Sequence, residues 1–134
     1  RWDHKHRKQR REMVRSWRRR NPERYKACNR RRRAIKRQVQ ENFTAEMAIC
    51  TKLVFGHQCF NCGRKNQINI DHFRPLSAGN ALTLLNAIVL CRYCNSKKLH
   101  KPPEEFFTSR QIKRAQQLMQ RAEKLYNSTI KQAA

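Results

Sequence analysis

The sequence has few acidic residues and few glycines, and it contains no long apolar run. Nine Asp and Glu stand against 32 Lys and Arg, which gives a formal net charge of +23. A chain this basic repels itself unless a polyanion neutralises it, and Lys and Arg gain counterion-release entropy by binding nucleic-acid phosphates. No stretch approaches the roughly 20 apolar residues that a membrane-spanning helix needs. We therefore expect a nucleic-acid partner and no membrane.

The length and charge distribution predict one core with extensions. The 134 residues are too few for two well-cored domains, and three glycines provide no Gly/Ser-rich linker. Residues 1–40 hold 18 of the 32 basic residues and three acids. We predict an α+β protein with an Arg-rich helical DNA-binding arm at 1–42, a core at 43–103 and a C-terminal helical extension at 104–134.

The arm is expected to form two helices that meet near Asn21. Asn21-Pro22-Glu23 is typical of a helix start, with Asn as the cap and Pro at the first helical position. Apolar residues are scattered among the basic ones, so both helices need a polyanion or a partner to order them. We expect this arm to bind DNA through the run Arg30, Arg31, Arg32 and Arg33.

The core should contain a helix, two short strands and a second helix. Thr44 is expected to cap a helix that runs to about Phe55 and packs on the core through Ile49 with Leu53 and Cys50 with Val54. β-type runs occupy residues 68–72 and 87–90, and a short helix is predicted from Tyr93 to about His100, stopped by Pro102 and Pro103. A capping box at residues 108–111 then opens an amphipathic helix that braces the core.

Four of the six cysteines form two tight pairs. Cys59-x-x-Cys62 and Cys91-x-x-Cys94 are separated by 28 residues, and this spacing allows four thiolates to hold one structural Zn²⁺ tetrahedrally. The alternatives are four ordinary buried cysteines, or disulfides in a secreted protein. Ligation would supply folding free energy to a core too small to be secure alone. The two cysteines outside the pairs, Cys28 and Cys50, receive no function.

The segment between the cysteine pairs, and just beyond it, carries a series of polar residues and turn formers. In chain order these are Asp71-His72, Pro75, Gly79-Asn80, Asn86, Asn95 and Lys98. From Cys59 to Lys98 the pattern resembles the HNH endonuclease family, and most closely its phage-type and homing-type members. The resemblance implies a ββα-metal core that cuts DNA, leaving 5′-phosphate ends. It also implies an intracellular protein of a bacterial host, encoded by a phage or mobile element.

The chemistry of phosphodiester hydrolysis suggests a role for each of these polar residues. His72 is the candidate general base, because a neutral imidazole accepts a proton from water near neutral pH. Asp71 and Asn95 offer hard oxygen ligands to a catalytic Mg²⁺ or Mn²⁺. Asn86 is expected to hold the His72 imidazole by a hydrogen bond. Each also has an ordinary alternative, since Asp and Asn frequently cap helices and turns.

The third signature position is Asn95 instead of His, so the chain resembles the H-N-N variant of the family. His100 lies five residues further on, which would turn it about 140° away on a continuous helix, so we assign it no more than a phosphate contact. Arg74, Lys97 and Lys98 are expected to contact DNA phosphates. Asp71 and His72, as neighbours on a strand, should point to opposite sides unless the strand end twists.

Two hypotheses for function follow from the sequence. The first is a metal-dependent endonuclease acting on double-stranded DNA, as a monomer that nicks or a homodimer that cuts both strands. The second is a non-enzymatic zinc-ribbon protein that uses the same cysteines to fold and the arm to bind nucleic acid. Asp71, His72, Asn86 and Asn95 discriminate between them, because a binding module has no need of that set.

Overall fold

The fold combines six helices and a two-stranded sheet within the part of the chain described. The computed structural model describes residues 2–133, with the backbone alone for residues 2–5 and 131; Arg1 and Ala134, the outermost residues of the predicted arm and extension, lie outside it. The elements in order are α1 (Trp2–Arg20), α2 (Pro22–Lys36), α3 (Ala45–Val54), β1 (Ile68–His72), β2 (Ala87–Cys91), α4 (Arg92–Lys98), α5 (Pro103–Phe106) and α6 (Ser109–Ala133). This confirms the predicted α+β class.

The sheet is antiparallel, with Cys91 at one of its ends and His72 at the other. Ile68 pairs with Cys91 at one end and His72 pairs with Ala87 at the other. Strand β2 is buried along its whole length, whereas β1 is half-buried. Two short 3₁₀ turns, Leu76–Ala78 and Leu84–Asn86, lie in the connection between the strands. The strand order and the bounds of β1 are as predicted, and β2 extends one residue further.

Helix α3 packs on the core through one of its two predicted residue pairs, since Cys50 is buried and Val54 packs against a buried cluster. Thr44 caps it by accepting a hydrogen bond from the Met47 backbone at 3.3 Å, as expected. However, Ile49 and Leu53 are 54% and 56% exposed, so the prediction that they pack on the core is wrong. The buried residues of the helix are Ala45, Ala48, Cys50 and Thr51. Most of these side chains are small, which allows α6 to approach closely.

Of the two arm helices, α2 finds a partner within the chain. Glu23 of α2 forms an ion pair with Lys52 of α3, and Ala34 is almost completely buried. Arg30 places its guanidinium over the Phe43 ring at 5.2 Å from the centroid. Asn21 is the N-cap residue of α2 and Pro22 its first residue, as predicted, but the Asn21 side chain makes no cap hydrogen bond to α2. Its amide donates instead to the Trp17 carbonyl at 3.0 Å, at the end of α1.

The helix after the second cysteine pair is shorter than predicted. It ends at Lys98, because Leu99 has a positive φ of 49° that no helix continues through. The two prolines were expected to stop this helix, but Pro102 and Pro103 lie beyond its end. Pro103 instead begins the short helix α5, where a missing backbone N–H costs nothing.

Helix α6 braces the core, and its predicted capping box is confirmed. Thr108 and Gln111 exchange hydrogen bonds of 2.9 and 3.2 Å. Ala115, Met119 and Ala122 are completely or almost completely buried along one face. Although α6 has 25 residues, neither it nor any other helix within residues 2–133 is apolar enough over a sufficient length to cross a membrane.

The packing of α6 predicts a large effect of Met119→Ala on stability. The truncation leaves a cavity next to the sheet, and we expect the free energy of unfolding in urea to fall by about 2–5 kcal/mol. Gln120→Ala, at an exposed position of the same helix, serves as the control and should change it little. Equal losses in both variants would show that α6 does not brace the core.

Candidate active site and metal centre

The four paired cysteines converge on one point. Their sulfur atoms all lie within 4.8 Å of one another, and Cys62 Sγ and Cys91 Sγ are 3.6 Å apart. A tetrahedral ion with bonds of about 2.3 Å needs sulfurs about 3.8 Å apart. Cys59, Cys91 and Cys94 are buried, while Cys62 is exposed. The donor set and its spacing fit a structural Zn²⁺, as the sequence predicted.

Local backbone geometry places both cysteine pairs. In the first pair the chain turns back at Gly63, whose N–H donates to the Cys59 carbonyl at 2.8 Å with φ at +75°. The second pair joins the end of β2 to the first turn of α4, where the Cys94 N–H donates to Cys91 Sγ at 3.4 Å. This hydrogen bond is the main cause that lowers the pKa of Cys91 to about 7, which favours the metal-binding thiolate.

An open cavity of about 780 Å³ lies between the end of β1, the second half of α4 and the end of α2. Three predicted site residues, Asp71, His72 and Asn95, line it together. Asp71 and His72 therefore reach one cavity, although alternation along a strand would have turned them apart. The remaining lining residues are Arg33, Lys36, Arg37, Pro75, Leu76, Ser77, Ser96, Lys98, Leu99 and His100.

The imidazole of His72 is bound by a carboxylate that the sequence did not single out. His72 Nε2 lies 2.9 Å from Oε2 of Glu41, a residue of the segment joining α2 to α3. The same oxygen accepts the Leu82 backbone N–H at 2.7 Å. The available signal was an isolated acid at the boundary between the basic arm and the core. An isolated acid in the sequence gives no reason to expect a contact between Glu41 and a histidine 31 residues away.

Lys98 is enclosed under the site. It is fully buried, and its ammonium group donates to the His72 carbonyl at 2.8 Å and to Asp71 Oδ2 at 3.3 Å. A side chain held in this way presents no surface to a DNA phosphate, which was its predicted partner. Lys98 instead fixes the direction of the Asp71 carboxylate and the end of β1.

Asn86 holds the loop next to His72 and not the imidazole itself. Its side-chain oxygen accepts the Arg74 N–H at 2.7 Å, and its amide donates to the carbonyls of Arg74 and Ala81 at 3.1 and 2.9 Å. These bonds use both amide hydrogens and orient the side chain toward the loop, and the predicted hydrogen bond to His72 is not formed. Asn86, at the end of the connection between β1 and β2, therefore fixes the backbone at the start of that connection, just after His72.

The basic residues predicted to contact phosphate differ in their exposure and in whether they line the cavity. Arg74 is exposed and forms an ion pair with Glu104 at 2.7 Å, and Lys97 is exposed above the Tyr93 ring. Arg31, Arg32 and Arg33 are exposed, whereas Arg30 is half-buried and only Arg33 of the four lines the cavity.

His100 is exposed and reaches the cavity rim. The argument that a continuous helix would turn it away does not apply, because α4 ends at Lys98.

The α+β fold thus places a four-cysteine centre in the same small domain as a cavity lined by Asp71, His72 and Asn95. Residues 59–101 match the family model described as HNH endonuclease. Comparisons with curated proteins and with solved structures give no significant match. The matched segment contains all four cysteines, together with Asp71, His72 and Asn95 of the cavity. Residues 59–101 are therefore similar to the HNH endonuclease family, in agreement with the resemblance noted in the sequence.

Because the cysteine centre joins the loop before β1 to the start of α4, its loss should unfold the domain. Cys94→Ser is expected to lose the bound zinc, measured by elemental analysis, together with the cooperative thermal transition. Cys28→Ser removes an exposed cysteine outside the centre and should keep both. A Cys94→Ser protein that melts like the wild type would contradict a structural metal.

Proposed function

We propose that the protein is a metal-dependent DNA endonuclease that hydrolyses phosphodiester bonds in double-stranded DNA. The observation that carries this proposal is the shared cavity of Asp71, His72 and Asn95 beside the cysteine centre. A zinc-ribbon binding module would need none of these three side chains. The cavity is open, as access for a polymer backbone requires, and one of its walls is basic.

His72 is the proposed general base. Its side chain is 14% exposed, so it is reachable from the cavity yet held by neighbours. Hydrolysis requires a proton to leave the attacking water, and a neutral imidazole accepts it at neutral pH. Lys98 holds the His72 carbonyl and Asn86 holds the Arg74 N–H, so both fix the backbone at and directly after His72. This positions the base before substrate arrives.

Asp71 and Asn95 are the proposed ligands of a catalytic Mg²⁺ or Mn²⁺. Asp71 Oδ2 accepts from Lys98, while Oδ1 makes no hydrogen bond within the described part of the chain. A carboxylate and an amide oxygen suit a hard cation that keeps several positions for water and phosphate. When bound, such an ion supplies charge stabilisation at phosphorus and at the departing 3′ oxygen.

The basic wall of the cavity is the proposed DNA contact. Arg33, Lys36 and Arg37 stand at the end of α2 and line the cavity opposite the nuclease motif. Arg31, Arg32, Arg74 and Lys97 are exposed as well, and we include them in the proposed contact surface. Phosphate contacts of this kind position a duplex without reading its sequence. One active site cuts one strand, so a monomer nicks and a homodimer cuts both.

The mechanism predicts a selective loss of activity in His72→Ala. With supercoiled plasmid and Mg²⁺ or Mn²⁺, the initial cleavage rate should fall by at least ~10²-fold. DNA affinity and zinc content should remain those of the wild type. Conversion to nicked circles or directly to linear product also reports whether one or two sites act.

His57→Ala is the matched control, because His57 is an exposed histidine outside the cavity. Its cleavage rate should be unchanged. Wild-type protein that binds DNA and never cuts it, with either metal, would favour the zinc-ribbon alternative. Undiminished cutting by His72→Ala would reject His72 as the base.

The proposed DNA surface predicts a change in salt dependence. Replacing Arg33, Lys36 and Arg37 with Gln should flatten the plot of log affinity against log salt by about 0.9 for each phosphate that the protein no longer neutralises. Point variants are preferred to deletion of the arm, because α2 also packs on α3. Lys113, Arg114 and Lys124 are the control set, since they are equally basic residues of α6. A slope that changes equally in both sets would contradict a specific DNA contact at the cavity wall.

A further inference from the structure

We propose that Glu41 is a positioning residue that fixes the tautomer and direction of the His72 imidazole, so that Nδ1 accepts the proton in hydrolysis. This inference deepens the proposed endonuclease function and rests on it. Glu41 lies outside residues 59–101, the segment that matches the HNH family model. It belongs to the connection between the basic arm and the core, so the arm side of the molecule completes the catalytic apparatus.

Hydrogen-bond chemistry determines which nitrogen of His72 carries hydrogen. Glu41 Oε2 already accepts the Leu82 N–H at 2.7 Å, and a carboxylate oxygen can only accept. His72 Nε2, at 2.9 Å from the same oxygen, must therefore donate. In a neutral imidazole the other nitrogen, Nδ1, is then the acceptor. Nδ1 makes no hydrogen bond within the described residues, which leaves it available to a water molecule in the cavity.

The burial of Glu41 makes this contact rigid. Its side chain is 1% exposed, and its second oxygen, Oε1, is buried without a hydrogen-bond partner among the described residues. Enclosing a carboxylate is costly unless a cation compensates. Arg30 contributes positive charge at longer range, without a hydrogen bond to Glu41: burial lowers its pKa, and the carboxylates of Glu23 and Glu41 raise it. The guanidinium of Arg30 thus interacts with groups inside the protein.

The Leu82 backbone N–H holds Oε2 of Glu41 in the position from which it contacts His72. Leu82 lies in the connection between β1 and β2, so Oε2 of Glu41 joins that loop to the imidazole at the end of β1. The Leu82 N–H requires an oxygen at this position. A Gln at residue 41 should accordingly place its amide oxygen there and keep the hydrogen bond from Nε2–H. Ala cannot do so. The two variants therefore separate loss of the acceptor from loss of the charge.

The first test reads the tautomer directly in zinc-loaded protein by long-range ¹H–¹⁵N NMR of the histidine rings. The signals of His72 are assigned by their absence in His72→Ala. The wild type and Glu41→Gln should show the Nε2–H form, and Glu41→Ala should show a mixture of both neutral tautomers. A wild-type His72 with hydrogen on Nδ1 would overturn the proposal.

The second test measures single-turnover cleavage of supercoiled plasmid at saturating protein. Glu41→Ala should be slower by about 10- to 100-fold, by analogy with loss of the hydrogen-bond partners that orient metal-ligating histidines. Glu41→Gln should recover most of that loss, and DNA affinity should be unchanged in both. Glu46→Gln, which neutralises an exposed acid on α3, is the matched control and should cleave at the wild-type rate.

The combination of readouts separates the possible failures. If Glu41→Ala does not fold, Glu41→Gln still decides the matter, because loss of the Nε2–H form in that variant contradicts the proposed acceptor. An altered tautomer with unchanged cleavage would overturn the catalytic part of the inference. If the wild type cuts no DNA, the proposed function fails, and the NMR comparison still decides whether Glu41 orients His72.

Discussion

The convergence of four sulfur atoms on one point is the constraint from which the rest of the structure follows. Two of the sulfurs precede the sheet and two stand where β2 becomes α4, so a single ion would tie both ends of the core segment together. The sheet has only two strands, and such a sheet is marginal in water without additional support. With the cysteines held, β1 and β2 remain in register, and His72 and Asn95 reach the same cavity.

A second set of constraints is made of buried charges. Lys98 lies beneath Asp71, and Glu41 lies behind His72. Both are enclosed and both are hydrogen-bonded to the residues that face the cavity. Buried polar groups are costly when unpaired and rigid when satisfied. Their effect here is to fix Asp71 and His72 before any ligand arrives, which is the preorganisation that catalysis in a small site depends on.

Much of the fold followed from local chemistry. The Thr44 cap, the Thr108 capping box, the bounds of β1 and the cysteine centre depend on neighbours in the chain or on metal-ligand spacing, and these can be predicted from residue types. The end of α4 could not be predicted from residue types, because it depends on Leu99, which adopts a positive φ although it is neither Gly nor Asn. Of the two predicted packing pairs of α3, Ile49 with Leu53 was misassigned, because small residues form much of the packed side of this helix.

The sequence indicated three polar residues that share a cavity, but not the contacts that hold them, and the catalytic roles stay predictions. Asp71, His72 and Asn95 were found from spacing, and they share a cavity. The partners of those residues depend on side chains brought from distant segments. Glu41 is 31 residues from His72, and Lys98 is 27 from Asp71. A basic residue in a sequence looks the same whether it will face DNA or be enclosed, as Lys98 and Arg30 show.

The length of α6 has a consequence for how the molecule loses its structure. At about 1.5 Å per residue the helix extends some 37 Å, and it contributes Ala115 and Met119 to one buried cluster and Ala122 to the other. Ile70 of β1 packs against both clusters as well. Neither cluster can open without disturbing an element that the other needs. The two clusters should therefore melt in one cooperative step, as a single folding unit.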